Sequence, residues 1–177
     1  NLPPEVLQSV QSMPAGLHPM GSLGSGLQAL GGSFPHLCTN DRAKDLENFD
    51  DAAALIIASL PALAAANHRK ITGEDYKHPL SSGNYCENFL SMMFSKEDDS
   101  QINPSLSKAL GLIFLLHADH EQNCSTSTVR IVGSSHAGLF ASVSAGISAL
   151  WGPLHGGANQ AVIEMLEAIQ KDGGDTK

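Results

Sequence analysis

Five consecutive residues, His117-Ala118-Asp119-His120-Glu121, put four ionisable side chains at the end of an apolar run, where core packing has no use for them. On a helix, His117 and His120 stand three apart and Glu121 four from His117, so all three can share one side. Three readings compete: a solvated helix end, a metal site, or a polar wall whose histidines donate hydrogen bonds to an anionic substrate. Two histidines and a carboxylate are good ligands. The spacing is not His-Glu-x-x-His, however, and no second cluster supplies a clear third ligand, so no metal is expected. The second segment is Gly152-Pro153-Leu154-His155-Gly156-Gly157-Ala158-Asn159. Gly-Pro breaks one helical pattern and another restarts after Gly157, so His155 falls just before or at a helix N-terminus. The helix dipole and free N–H groups there favour a neutral ring over an imidazolium. A neutral imidazole so placed can polarise a carbonyl and stabilise an enolate. Paired glycines let a ligand or another backbone come close. A turn histidine between flexible glycines is the plain alternative.

The elements that must position these residues read as helix after helix. Pro3-Pro4 followed by Glu5, Val6, Leu7 and Val10 predicts a short first helix ending near Met13-Pro14. Met20, Leu23, Leu27 and Leu30 follow a 3-4-3 spacing with Gly and Ser at flanking positions, and Gly31-Gly32 is expected to end that helix. Residues 41–60 are helical in character, and Pro61 either kinks that helix or starts the next, which continues over 62–67. A loop is expected over 77–84, a helix over 87–94, and a solvated loop at Glu97-Asp98-Asp99. Asn103-Pro104 supplies an N-cap and a first-turn proline, and the helix they start carries Leu106, Leu110, Ile113, Phe114 and Leu116 into His117. Further helices are expected over about 137–150 and 158–169. In the former, Ala141, Ala145 and Ala149 recur every four residues, and so do Gly138, Ser142 and Gly146. Such a helix makes sense only at the centre of a packed helical assembly. No strand-like alternation or internal repeat is present. The fold class is all-α.

A chain of 177 residues suits one domain. The net charge of −8, with Lys and Arg scattered, argues against nucleic acid or an anionic membrane surface as partner. Residues 131–161 are nearly uncharged, but serines, His136 and Gly152-Pro153 interrupt them, so no membrane span is expected. Cys38, Cys86 and Cys124 form no C-x-x-C pair, which fits a reducing compartment. Cys124 reads as a small buried side chain, and His36, His68, His78 and His136 as surface or cap residues. Gly21-Ser22-Leu23-Gly24-Ser25-Gly26 lacks the Gly-Lys-Ser/Thr ending of a phosphate loop and reads as close helix packing. Both ends read as cut. The chain opens Asn1-Leu2-Pro3-Pro4 without methionine or leader, and closes on a polar Gly-rich stretch directly after a helical pattern.

The order of segments resembles the citrate synthase family throughout, and its bacterial branch in particular. The matching segments are Leu17-His18-Pro19-Met20; Asn88-Phe89-Leu90-Ser91-Met92-Met93-Phe94; His117-Ala118-Asp119-His120-Glu121-Gln122-Asn123 with Ser125-Thr126-Ser127-Thr128-Val129-Arg130; and Gly152 through Gln160. The resemblance implies that His155 hydrogen-bonds the acetyl-CoA thioester oxygen as it becomes an enol or enolate. It implies that His120, with His117 nearby, binds oxaloacetate or citrate. Asn123 and Ser125 would help orient the site, Ser125 by holding the His155 segment. Gly156, Gly157 and Ala158 would approach the thioester arm of CoA with their backbone.

Departures from the family pattern are equally specific. The family's catalytic aspartate, a further histidine and several arginines all follow the His155 motif in family order. After His155 this chain has no histidine or arginine, and Asp172 and Asp175 come too soon. Residues 1–177 are therefore expected to be the central part of the family's large helical domain, without its N- and C-terminal portions and inactive by themselves. Ser95-Lys96-Glu97-Asp98-Asp99 also lacks the cysteine found there in members inhibited by NADH. The expected activity is citrate synthase, an acyltransferase of the tricarboxylic acid cycle that condenses acetyl-CoA with oxaloacetate, without metal or redox cofactor. Rival readings are 2-methylcitrate synthase, using propionyl-CoA, and a non-catalytic helical scaffold of the same fold. The resemblance further implies a cytoplasmic, bacterial protein and a homodimer or dimer-based oligomer, its contact matching residues 20–30, 104–116 and 137–150.

Overall fold

A computed structural model describes residues 1–39, 41–96, 102–119 and 121–174, and among these every regular element is helical. In chain order they are α1 (Pro4–Ser12), α2 (Pro19–Ser33), a 3-10 turn (Pro35–Leu37), α3 (Arg42–Glu47), α4 (Phe49–Thr72), α5 (Tyr85–Phe94), α6 (Pro104–Leu116), α7 (Cys124–Ser134), α8 (Leu139–Leu150) and α9 (Gly156–Lys171). The all-α expectation therefore holds. The acidic run Glu97-Asp98-Asp99 lies outside the described residues.

The starts of these helices are set by local chemistry. Asn103 accepts from the Ser105 N–H at 2.9 Å ahead of Pro104, as its position predicts. Asn84 accepts from the Cys86 and Glu87 N–H groups at 3.0 Å each, while the Glu87 carboxylate accepts from the Asn84 N–H at 2.8 Å. That reciprocal pair starts α5 two residues before the expected position.

Two further boundaries differ from the sequence reading, and a third is narrowed. The helix expected over 41–60 is two: α3, capped by Asp41, ends at Asn48, and α4 begins at once. Of the two expectations for Pro61, the start of a new helix is ruled out, since the 24-residue α4 runs through it. Proline cannot donate to the carbonyl four residues earlier; here that carbonyl, of Ile57, accepts instead from the Tyr85 hydroxyl at 3.0 Å. Burial holds the Tyr85 phenol above the usual tyrosine range, with the neighbouring Cys86 adding to the shift. Similarly, α2 continues past Gly31-Gly32 to Ser33, because Gly31 is needed for space: a Cβ there would come 2.9 Å from Cγ of Phe140.

The core lies where α1, α2, α4 and α8 meet, with Val6, Val10, Leu27, Leu30, Leu63 and Phe140 all but sealed from water. Glycines set the helix separations, as expected for the 21–26 segment: Gly26 faces Leu63 and Val10, and Gly24 faces Ile147 and Ser144. Length and apolarity alone would let α4 cross a membrane. In this fold it is the core helix, contributing Ile56, Ala62, Leu63, Ala65 and Ala66 to the interior. The nearly uncharged residues 131–161 fall into three helices separated by turns, so they form no continuous span.

Candidate active site

The helix α7, which no periodicity announced, positions the site. Asn123 is its N-cap, accepting from the Thr126 N–H at 2.9 Å, and it is followed at once by Cys124 and Ser125. Against α7 packs α8, and Gly146 makes the approach possible. A Cβ at Gly146 would fall 2.6 Å from Cγ2 of Val129 and 3.5 Å from the Ser125 carbonyl oxygen. From Leu150 the chain turns through Trp151 and Gly152 into Pro153, Leu154 and His155, which is the N-cap residue of α9 as expected.

This arrangement brings together residues thirty positions apart. Nε2 of His155 lies 3.0 Å from the Ser125 hydroxyl, and that hydroxyl lies 2.9 Å from Oδ1 of Asn123. The amide orientation of Asn123 is fixed, because its Oδ1 also accepts the Thr126 N–H. A serine hydroxyl carries one proton. If Ser125 donates to Asn123, its oxygen can only accept from His155, and Nε2 carries the imidazole proton. If the hydroxyl turns to donate to His155, a neutral ring carries its proton on Nδ1 and presents that N–H away from Ser125. The three half-buried side chains thus form a relay in which a hydroxyl rotation selects the tautomer of His155.

The other predicted residues are placed differently. The helix under the His117 segment stops at Leu116, so the side-by-side spacing inferred from a continuous helix does not apply. Glu121 sits at φ +59°, a left-handed conformation that no α-helix continues through, and its N–H donates to Asp119 at 3.0 Å. His117 caps the C-terminus of α6, its Nδ1 donating to the Ile113 carbonyl at 2.8 Å. His120 lies outside the described residues. Gly156 has a structural reason to be glycine: a Cβ there would meet the Leu150 carbonyl oxygen at 2.1 Å. The N–H groups of Gly157 and Ala158 already donate to the carbonyls of Gly152 and His155, at 3.2 and 3.1 Å. Those two groups close the turn before they can serve a ligand.

Cys124 is exposed, contrary to its expected burial, because the N1 position of α7 faces outward. Among the described residues no group of three or more His, Cys, Asp or Glu side chains is arranged to hold a metal. A cavity of about 370 Å³ lined by Arg42, Phe49, Val129 and His136 opens elsewhere and contains none of the predicted site residues.

Comparison with known proteins gives the family and the fold. The family profile described as "Citrate synthase, C-terminal domain" matches residues 1–177. Citrate synthase 1 of Mycobacterium tuberculosis is 46% identical over 165 residues, covering 92% of this chain and 37% of the relative. The citrate synthase of Corynebacterium glutamicum is 47% identical over 166 residues, with coverage of 92% and 37%. The chain therefore spans little more than a third of the length of these relatives. The crystal structure of the citrate synthase from Pyrobaculum aerophilum superposes with a TM-score of 0.76 at 30% identity, covering 96% of this chain and 42% of that one. The fold is also that of the Thermoplasma acidophilum citrate synthase in ternary complex with carboxymethyl coenzyme A and oxaloacetate. There the TM-score is 0.82 at 24% identity, with coverage of 96% and 42%.

Proposed function

Because the chain belongs to the citrate synthase family of acyltransferases, we propose that the intact protein condenses acetyl-CoA with oxaloacetate and water to give citrate and CoA. The observation that carries this reading is the bond between His155 and Ser125 at the start of α9. A Claisen-type condensation removes a proton from the acetyl methyl group, and negative charge develops on the thioester oxygen. A donor already oriented toward that oxygen lowers the barrier without reorganising at the moment of reaction. His155 has the requisite restraint: Ser125 holds one nitrogen and leaves the other to face the substrate. The enolate carbon then bonds to the oxaloacetate carbonyl carbon, whose oxygen takes a proton, and water releases CoA as the thiol. Proton transfer and charge stabilisation suffice for these steps, and on this reading the enzyme needs no metal or redox cofactor.

We assign oxaloacetate binding to His120 with His117, and a neighbouring path for the thioester arm to the backbone at Gly156, Gly157 and Ala158. Residues 1–177 fall on this reading within the large helical domain. They hold neither the base nor the arginines for the substrate carboxylates, and by themselves they are expected to be inactive. We further infer from the family resemblance a bacterial cytoplasmic protein that works as a dimer or dimer-based oligomer.

Release of CoA thiol by the intact protein tests the assignment. His155→Ala is expected to lower kcat by roughly 10²–10³, the scale of one lost oxyanion donor. His120→Ala is expected to raise KM for oxaloacetate more than it lowers kcat. Near wild-type kcat in His155→Ala, or unchanged oxaloacetate affinity in His120→Ala, overturns the corresponding role. A higher kcat/KM for propionyl-CoA than for acetyl-CoA assigns 2-methylcitrate synthesis instead, the two differing by one methylene worth about 1–3 kcal/mol. Absence of turnover with either acyl-CoA leaves a helical scaffold.

A further inference from the structure

We propose that His18, acting through Trp151, is a positioning residue for His155: it supports from α2 the loop that Ser125 holds from α7. The inference rests on the condensation reading above and adds a residue to it. His18 is the N-cap of α2, where its Nδ1 accepts the Met20 N–H at 3.2 Å and Pro19 fixes the first turn. An imidazole anchored by one edge has a defined plane. That plane lies on the Trp151 ring, with centroids 4.8 Å apart and 18° between the planes. Gly21, one turn further along α2, leaves room for the same indole: a Cβ there would lie 3.4 Å from Cζ3 of Trp151 and 3.0 Å from Cδ1 of Leu17. The first turn of α2 is thus a shelf under Trp151.

Trp151 is coupled to His155 through a short, internally bonded turn. The Gly152 N–H donates to Ala149 at 3.2 Å, and the Gly152 carbonyl accepts from the His155 and Gly157 N–H groups at 3.0 and 3.2 Å. A shift of Trp151 therefore carries His155 with it. The outer side of the turn is open. Leu154, at the tip of the turn, is 99% exposed. Cavities of about 240 and 350 Å³ separate His18 and Trp151 from Gly157 and Gln160 on α9. The turn has space to move into, and the ring stack stands at the edge of that space. With Ser125 bonded to Nε2, the imidazole is tied to α7 directly and to α2 through Trp151.

Two variants of the intact protein separate the ring from the cap. His18→Asn keeps an oxygen suited to the N-cap and removes the stack, whereas His18→Phe keeps a ring for Trp151 and removes the cap. Expected for His18→Asn is a kcat lower by about tenfold with KM for oxaloacetate unchanged within about twofold, the signature of a misplaced catalytic group. For His18→Phe, kcat is expected to stay within about threefold of wild type. The ring ¹⁵N resonances of His155, read in two-bond ¹H–¹⁵N spectra, are expected to move in the Asn variant and stay in the Phe variant. Trp151→Leu, which loses the stack from the other side, is expected to behave as His18→Asn and replaces it if that variant does not fold. Wild-type kcat together with unmoved His155 resonances in the stack-deleted variant overturns the proposal. Equal losses in His18→Asn and His18→Phe also overturn it, by assigning the effect to the cap. A wild-type protein that does not turn over, but whose His155 resonances move in His18→Asn, sinks the condensation reading and leaves the positioning relation standing.

Discussion

The Ser125 hydroxyl lies 3.0 Å from Nε2 of His155 and 2.9 Å from Oδ1 of Asn123, and its single proton can serve only one of them. If the condensation proposed above is the reaction, donation to Nε2 is the state in which a neutral His155 would offer Nδ1–H to the thioester oxygen. On the condensation reading, Ser125 would then contribute both orientation and tautomer. Ser125→Ala is expected to lower kcat about 10–100-fold while changing KM for oxaloacetate much less. Steady-state assay of thiol release checks it, and an unaltered kcat would mean that the hydroxyl has no part in aiming the ring.

Placement of Ser125 depends in turn on Gly146. Since a Cβ at Gly146 overlaps Val129 at 2.6 Å, Gly146→Ala must push α7 away from α8. The expected cost is about 1–3 kcal/mol, typical of overpacking, accompanied by reduced kcat because Ser125 travels with α7. Gly32 is the control: it lies on α2 with nothing within 4 Å of its would-be Cβ. Gly32→Ala is expected to be neutral or stabilising by about 0.5–1 kcal/mol. Urea midpoints of the two variants decide the matter; equal stabilities would contradict the close approach of α7 and α8.

How far the site was legible in the sequence follows from the same residues. Caps with local chemistry, such as Asn103-Pro104, and the apolar spacing of α2 were readable because each is decided within a few residues. The helix α7 was not, since Thr126, Thr128, Val129, Ile131 and Val132 are β-branched and carry little helical propensity. It packs against α8, and its N-cap, Asn123, was not read as a helix start. Pro61 left two readings open for a related reason: the partner that satisfies the Ile57 carbonyl, Tyr85, lies on another helix. The pairing of Ser125 with His155 spans 30 residues and could be anticipated only through family resemblance. The left-handed turn at Glu121, which undoes the one-sided histidine cluster, has no signature in the residue types there.

Arg69 gives a prediction about stability. It is 3% exposed at the end of α4. Its guanidinium donates to the carbonyls of Met92 and, at 2.7 Å, Ser95, and meets Glu74 at 3.0 Å. Two of the carbonyls left over at the C-terminus of α5 thus depend on it. Arg69→Met leaves both buried acceptors unmatched and is expected to cost about 3 kcal/mol. Arg69→Lys should recover only part of this, because an ammonium lacks the planar fork that reaches both carbonyls. Chemical denaturation of the variants gives the comparison, and wild-type stability in Arg69→Met would show that water replaces the guanidinium without loss.

The last prediction concerns the surface left open between α2 and α8. Leu27 and Leu30, which the sequence offered as part of a subunit seam, are fully buried within the chain. What remains outward between these helices is a groove of about 430 Å³ lined by small residues, among them Gly21, Gly24, Ser25, Ala141 and Ala145. Elsewhere on the chain, α6 exposes Leu106, Leu112, Ile113, Leu115 and Leu116. A floor of glycine, alanine and serine admits a helix backbone at close range, and an obligate interface of about 2,000 Å² or more resembles a core cut in half. We expect the partner to be a second copy of the chain, in keeping with the family resemblance. Ala145→Arg then places a long side chain and an unpaired charge on that floor. The penalty to association is expected to be about 3–5 kcal/mol, while the fold within one chain, where Ala145 is only half-buried, is largely spared. Sedimentation equilibrium of the intact protein and of the variant measures the shift from dimer to monomer. An intact wild-type protein that stays monomeric at micromolar concentration would remove the second copy from the groove.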